Sequence, residues 1–91
     1  MESAYDKKVG QNVFIRSFPH HYIGKLIEVY PRELVVQDAS WIADSGRWMQ
    51  ALATGDLSEV EPYPDGEEVI VPRGNICDVS TWLHALPREQ K

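Results

Sequence analysis

The stretch VPRGNICDV, residues 71–79, decides the fold, because it joins two apolar runs through three turn-forming residues. Residues 68–72 and 75–82 are rich in β-branched and apolar residues and predict two strands. The Arg-Gly-Asn segment at residues 73–75 lies between them, and glycine and asparagine readily supply the positive φ of a tight turn. The stretch therefore predicts a hairpin with an arginine at its tip.

The residues before this stretch predict three more strands, at residues 12–18, 21–30 and 33–42. The connections between them are short, which makes the three strands an antiparallel meander. Gly24 lies inside the second strand and predicts a bend or a bulge, where a strongly curved sheet turns.

The segment between the third and fourth predicted strands, residues 41–66, is a long insertion. Within it, residues 45–55 predict one short helix, because apolar residues recur at helical spacing and Gly55 provides a stop. The acidic segment at residues 54–68 predicts an exposed loop. The polar tail at residues 83–91 is expected to be frayed.

Length and composition are those of an ordinary soluble domain, with 43% hydrophobic and 25% charged residues. A chain of 91 residues predicts one domain over residues 1–91, with an ordered core at about residues 9–82. No apolar run is long enough to span a bilayer, and the first residues do not have the pattern of a signal peptide. A single cysteine excludes an internal disulfide. We therefore expect a cytoplasmic protein with no membrane partner.

Five short, strongly bent strands in so short a chain predict an all-β fold. The expected architecture is a small five-stranded antiparallel SH3-like barrel with a short helical insertion. Closure into a barrel removes the exposed strand edges that invite aggregation. If the barrel does not close fully, its last two strands are free to pair with a neighbouring subunit.

The acidic charge balance bears on the class of partner. A net charge of −5 counts against a general attraction to nucleic acid, which needs clustered lysine and arginine. A local basic patch, or a ring that concentrates one sign of charge at its centre, would be an exception.

Two segments match the motifs of one protein family. The first has a glycine, a leucine and a valine in the second strand, followed by an apolar strand that ends in acidic and small residues: Gly24, Leu26, Val29 and residues 34–39. The second, residues 71–76, has an apolar pair, then Arg-Gly-Asn, then an apolar strand. Together they resemble the Sm-like proteins of the Lsm and Hfq type, over roughly residues 10–40 and 67–80.

The resemblance implies an assembly as well as a barrel. In that family, the fourth strand of one subunit pairs with the fifth strand of the next, which closes a ring of about five to seven subunits. Single-stranded RNA binds at the central pore of such rings, where arginine and aromatic side chains hold a base. The resemblance therefore implies self-association, with single-stranded RNA as a further partner.

The resemblance also implies which residues would contact RNA. Arg73, in the second motif, would point into the pore and grip a base. In the turn of the first motif, Tyr30 falls where the family has Asp, Glu33 falls where it has the base-reading Asn, and Arg32 lies nearest the stacking position. The implied RNA site consists of Tyr30, Arg32, Glu33, Arg73, Gly74 and Asn75.

Two functions from different classes remain open. The first is a ring that binds single-stranded RNA, with Arg73 of each subunit facing the pore. The second is a structural or scaffolding ring that contacts an unidentified protein and binds no nucleic acid. The acidity and the replaced Asp and Asn positions favour the second function, and the general habit of the family favours the first.

The remaining chemistry-bearing residues have structural interpretations. Neighbouring strand residues point to opposite faces, so His20 and His21 would not chelate one metal ion, and His84 is distant in sequence. Cys77 is expected to be buried in a strand. The tryptophans are expected in the core or in a subunit contact: Trp41, Trp48 and Trp82. We predict no catalytic activity, no cofactor and no metal site, because no phosphate loop, nucleophile elbow or ligand spacing occurs.

Overall fold

The computed structural model describes residues 3–91 as an open antiparallel sheet of six strands with one short helix. The strands are β1 (Asn12–Ser17), β2 (His21–Val29), β3 (Glu33–Asp44), β4 (Glu59–Pro62), β5 (Glu68–Pro72) and β6 (Ile76–Thr81), and the helix is α1 (Trp48–Thr54). Short 3-10 turns cover Asp6–Lys8 and Arg73–Asn75. The predicted all-β class is confirmed, with six strands rather than five.

Strand β3 organises the sheet, whose order is β4-β3-β2-β1-β6, with β5 also paired to β3. β2 pairs with β3 along one side. The other side of β3 is shared by two strands, since residues 33–37 pair with β5 and residues 40–44 pair with β4. Because β3 is long enough to pair with both strands, β4 of the insertion joins the same sheet as β5.

The hairpin predicted at residues 71–79 is wrong. β5 pairs with β3 whereas β6 pairs with β1, so the 3-10 turn at Arg73–Asn75 carries the chain from one edge of the sheet to the other. Neither Gly74 nor Asn75 has a positive φ. The sequence shows where the chain turns, but it does not show which partner each strand takes after the turn.

Gly24 confirms the predicted bend in the second strand. The pairing of β2 with β3 shifts register between Ile23 and Lys25, around this glycine. A Cβ atom at position 24 would lie 3.0 Å from the Cβ of Ala39 and 3.1 Å from its Cα. The two strands approach so closely here that no larger side chain fits without moving the backbone.

Replacing Gly24 with valine is expected to lower the free energy of unfolding by about 1–3 kcal/mol, the usual cost of overpacking a filled site. The measurement is urea unfolding followed by tryptophan fluorescence. Gly74→Ala is the matched control, because a Cβ there would meet no atom within 4 Å. That control should stay within about 0.5 kcal/mol of the wild type. Equal stability of the two variants would contradict the close approach of β2 and β3.

Apolar side chains pack on both faces of the sheet, because neighbouring residues of a strand point to opposite faces. Val13 and Ile15 of β1 join one buried cluster with Leu26, Leu34, Val36, Ala39 and Val71. Phe14 points the other way and joins a second cluster with Ile23, Ile42, Ala51, Leu57, Val60 and Trp82. Since Ala51 of α1, Leu57 and Val60 of β4 contribute to the second cluster, the insertion at residues 41–66 packs on one face of the sheet.

The predicted helix is present but shorter than the expected residues 45–55. It ends at Gly55, which adopts a left-handed conformation (φ 83°) and donates its N–H to the carbonyl of Ala51 over 2.8 Å. The glycine stop is therefore confirmed. Within residues 3–91, no helix combines the length and the apolar character that crossing a membrane requires.

The exposed loop predicted at residues 54–68 is partly wrong, because it contains β4. Val60 is buried while Glu59 and Glu61 on either side are exposed. One apolar residue flanked by glutamates gives too weak a pattern to distinguish a short strand from a solvated acidic loop.

The predicted fraying of residues 83–91 is also wrong. The backbone N–H of Lys91 donates to the carbonyl of Val60, and the N–H of Val60 donates to the carbonyl of Lys91, both over 2.9 Å. The Arg88 side chain binds three further groups on β3 and on the segment after β4. These long-range polar contacts order a tail whose composition is that of a solvated segment.

The predicted burial of Cys77 is wrong, because its side chain is exposed. Arg16 lies opposite Asp78 and Ser17 lies opposite Ile76, so Cys77 is the extra residue of a bulge in β6. A bulge interrupts the alternation of a strand, which is why the sequence pattern places Cys77 on the wrong side.

Candidate functional site

The six residues of the implied RNA site lie together at two adjacent turns. The β2–β3 turn is closed by the N–H of Tyr30, which donates to the carbonyl of Glu33 over 2.9 Å. The N–H of Arg73 donates to the carbonyl of Arg32 over 2.9 Å, which ties the β5–β6 turn to the first one. Antiparallel pairing of β3 with β5 brings these turns together, since Glu33 lies opposite Pro72.

The Arg73 side chain is held by contacts within the chain. Its Nη1 donates to the carbonyl of Tyr30 over 2.6 Å, and its Cζ lies 4.3 Å from the centre of the Tyr5 ring. The residue is half-buried. A guanidinium stacked on an aromatic face is weakly attracted to it. Arg73 thus joins the two turns to the segment that precedes β1, and Tyr5 occupies one face of its guanidinium.

Tyr5 is the residue of this site that the sequence did not reveal. It precedes the 3-10 turn at Asp6–Lys8, where the Asp6 carboxylate accepts the N–H of Ser3 over 2.7 Å and its hydroxyl over 2.9 Å. These two bonds, with a smaller contribution from Arg73, lower the pKa of Asp6. No local pattern links Tyr5 to a turn almost seventy positions later, so only the fold shows this contact.

Acidic residues surround the two turns. The pKa of Tyr30 is raised, chiefly because its hydroxyl donates a hydrogen bond to Glu28. The negative charges of Glu28, Glu33 and Glu68 raise that pKa further. Carboxylates repel phosphate, so this environment opposes binding of a nucleic-acid backbone.

Tyr30 is 42% exposed, and three further residues of the site are accessible: Arg32, Gly74 and Asn75. All three are exposed, and the Arg32 side chain makes no hydrogen bond or ion pair with any other residue of 3–91. Asn75 accepts the N–H of Phe18 at its carbonyl over 3.0 Å. It also borders a cavity of about 160 Å³ between the β1–β2 turn and the end of β5. Of the two arginines of this site, Arg32 is therefore the one better placed to meet an external ligand.

The three histidines make separate contacts. The His20 ring meets the edge of Trp41 at 4.3 Å between centroids, and His21 Nδ1 accepts the N–H of Ser17 over 3.3 Å. Burial, helped by the charge of Arg16, lowers the pKa of His21. A ring nitrogen of His84 is hydrogen-bonded to a backbone carbonyl of α1 over 2.8 Å. Within residues 3–91, no group of three or more His, Cys, Asp and Glu side chains could hold a metal ion.

The three tryptophans differ in their surroundings. Trp82 is buried in the second cluster, which confirms the core interpretation for this residue. Trp41 is half-buried. Trp48 lies at the surface under Arg16, whose Cζ is 4.4 Å from the centre of its ring and whose Nη2 is 2.6 Å from Asp78.

Two strand edges are open on the surface of the chain. Within residues 3–91, β5 pairs only with β3, and β6 pairs only with β1. Ile70, at the centre of β5, is 68% exposed, whereas Val69 and Val71 pack inward. The free side of β4 differs, because the backbone of Lys91 pairs with Val60 there. Unpaired backbone groups on β5 and β6 are templates for strand addition.

Comparison of the chain with protein-family models found no match, and comparisons with curated proteins and with solved structures found none either. The Sm-like resemblance therefore rests on the motif residues alone.

Proposed function

We propose that this protein is a non-catalytic assembly module whose copies join edge to edge into a ring of about five to seven subunits. The ring acts as a scaffold for another protein. The observation that carries the proposal is the pair of open edges on β5 and β6, each belonging to a strand that pairs on one side only.

The strand order supports a strongly bent, SH3-like barrel as the subunit. Without β4, the path is β6-β1-β2-β3-β5, and a 3-10 turn links its two end strands. The pairing of β1 with β6 has one register shift and the pairing of β2 with β3 has two. Such shifts increase the local twist of the sheet. Gly24, packed against Ala39, permits a close approach of β2 and β3 at one of these places. Such a barrel brings its end strands close without pairing them.

A second copy of the chain is the partner that fits both edges. An open β5 on one copy and an open β6 on the next can pair by antiparallel strand addition, which uses main-chain hydrogen bonds for affinity. The exposed Ile70 then adds an apolar contact beside the new strand pair. Because β5 and β6 are different surfaces, the contact is head-to-tail, and head-to-tail contacts that close produce rings.

A scaffold fits the site better than an RNA-binding ring does. The Arg73 guanidinium already binds the Tyr30 carbonyl and the Tyr5 ring, so only its second face is left for stacking on a base. The carboxylates near Tyr30 and the net charge of −5 also oppose phosphate. The function proposed is therefore protein assembly.

Hydrogen exchange at two protein concentrations tests the proposal. Assembly should slow exchange of backbone amides in β5 and β6 at high concentration, because these amides gain partners only when copies meet. The amides of β4 are the internal control, since Lys91 pairs with this strand inside one chain. The ring would be contradicted if the amides of β5 and β6 exchange at the same rate at both concentrations and the native mass is that of a monomer at both.

RNA binding remains a second candidate, because Arg32 is exposed and lies beside Gly74 and Asn75. Fluorescence anisotropy with short U-rich, A-rich and mixed single-stranded RNAs, at low and physiological salt, tests it. We expect no binding by the wild type. Binding that Arg32→Ala and Arg73→Ala each remove would establish the RNA ring in place of the scaffold. Two variants are needed because Arg73→Ala also loosens the turns.

A further inference from the structure

We propose that residues 83–91 form a built-in edge cover that keeps β4 from pairing with other chains. The cover confines assembly to the edges of β5 and β6, so this second part of the inference rests on the proposed function. The first part, the sealing of β4, stands on contacts within one chain.

The seal on β4 is a backbone contact. Lys91 and Val60 exchange two hydrogen bonds of 2.9 Å, in the manner of a strand pair. Gln90 Nε2 donates to the Glu61 carboxylate over 2.8 Å beside them. β4 already pairs with β3 on its other side, so Lys91 occupies the central position of its only free edge.

Arg88 anchors the cover to the sheet. Its Nη1 donates to the carbonyl of Ala39 over 3.1 Å, and its Nη2 donates to the carbonyl of Tyr63 and to Asp65 Oδ1, each over 2.6 Å. The planar guanidinium thus joins β3 to the segment that follows β4. Because the ion pair with Asp65 is at the surface, the two carbonyl contacts are expected to contribute more than the charge pairing does.

The start of the tail is held by the second apolar cluster. Leu86 packs against that cluster, and the buried hydroxyl of Ser40 donates to the carbonyl of Pro87 over 2.7 Å. The His84 ring packs against Gly55, where a Cβ atom would lie 2.9 Å from it. The tail is therefore fixed before and after Arg88, and it meets β4 in one defined register.

An edge cover has a clear consequence for assembly. A third open edge would let β5 or β6 of another copy add to β4, and the assembly would branch instead of closing. Native sheets commonly protect such edges by covering them with a loop. Here the cover belongs to the same chain, and it covers the one edge that ring closure does not use.

Arg88→Ala tests the inference, with Arg47→Ala as the matched control. Arg47 is an exposed arginine whose side chain makes no hydrogen bond or ion pair within residues 3–91. Hydrogen exchange of the Val60 amide, the β4 amide that donates to Lys91, is measured at a low protein concentration. Native mass is measured by light scattering over a concentration series. A chain that stops at Pro87 provides a second variant if Arg88→Ala folds poorly by circular dichroism.

We expect exchange at the Val60 amide to rise at least about tenfold in Arg88→Ala and in the shortened chain, and not in Arg47→Ala. We also expect both variants to form larger, concentration-dependent species in place of one defined mass. Unchanged exchange at the Val60 amide would overturn the seal. Faster exchange with unchanged mass would overturn the role in assembly. A monomeric wild type whose two variants associate would contradict the ring and still support the edge cover.

Discussion

Replacing Ile70 with lysine is expected to convert the proposed ring into monomers of 10.4 kDa. Ile70 lies at the centre of β5 and is 68% exposed, so the substitution leaves the packed interior of the subunit unchanged. A lysine on an edge strand opposes strand addition, because its charge must be desolvated when another chain pairs there. The measurement is native mass by size-exclusion chromatography with light scattering.

Met49→Lys is the control for Ile70→Lys. Met49 lies on α1 and belongs to neither β5 nor β6, and it is 65% exposed, so the two variants exchange similarly exposed apolar side chains for the same charge. We expect Met49→Lys to keep the mass of the wild type. If both variants keep that mass, the β5 edge is not the assembly surface, and if both lose it, general surface hydrophobicity holds the assembly together.

Replacing Trp82 with alanine is expected to lower the free energy of unfolding by about 3–5 kcal/mol. The side chain is 3% exposed and packs against Phe14, with 5.9 Å between ring centroids. Its Nε1 donates to the carbonyl of Ala85 over 3.0 Å, which fixes the start of the tail. A loss of this size is a large part of the stability of a small domain.

Urea unfolding followed by circular dichroism measures the effect of Trp82→Ala, because that variant also loses a fluorophore. Leu83→Ala is the control, since the neighbouring Leu83 is 82% exposed. Its unfolding midpoint should match that of the wild type. An unfolding midpoint of Trp82→Ala equal to that of the wild type would show that the second apolar cluster does not depend on Trp82.

Most strands were predictable from sequence because each has a clear pattern of β-branched and apolar residues and is bounded by turn-forming residues. β1, β2, β5 and β6 lie within one or two residues of their predicted bounds, and β3 continues two residues further. β4 was not predictable, since Val60 is the one apolar residue in it. The partners of β5 and β6 were not predictable either, because pairing depends on where distant strands lie and not on the turn that joins them.

In the candidate site, too, local patterns were predictable from sequence and long-range contacts were not. The motif residues at the two turns were found from sequence, and the fold brings them together. The contact of Tyr5 with Arg73 and the binding of Arg88 to three groups are long-range, so no local pattern indicates either one. These contacts decide whether each arginine is accessible to a ligand or held within the chain.

Native mass spectrometry of the unmodified protein at micromolar concentration tests the central claim most directly. The ring predicts one dominant species with a mass of about five to seven times 10.4 kDa, and no open-ended series of larger species. A protein that stays at 10.4 kDa under these conditions would contradict the assembly of β5 with β6.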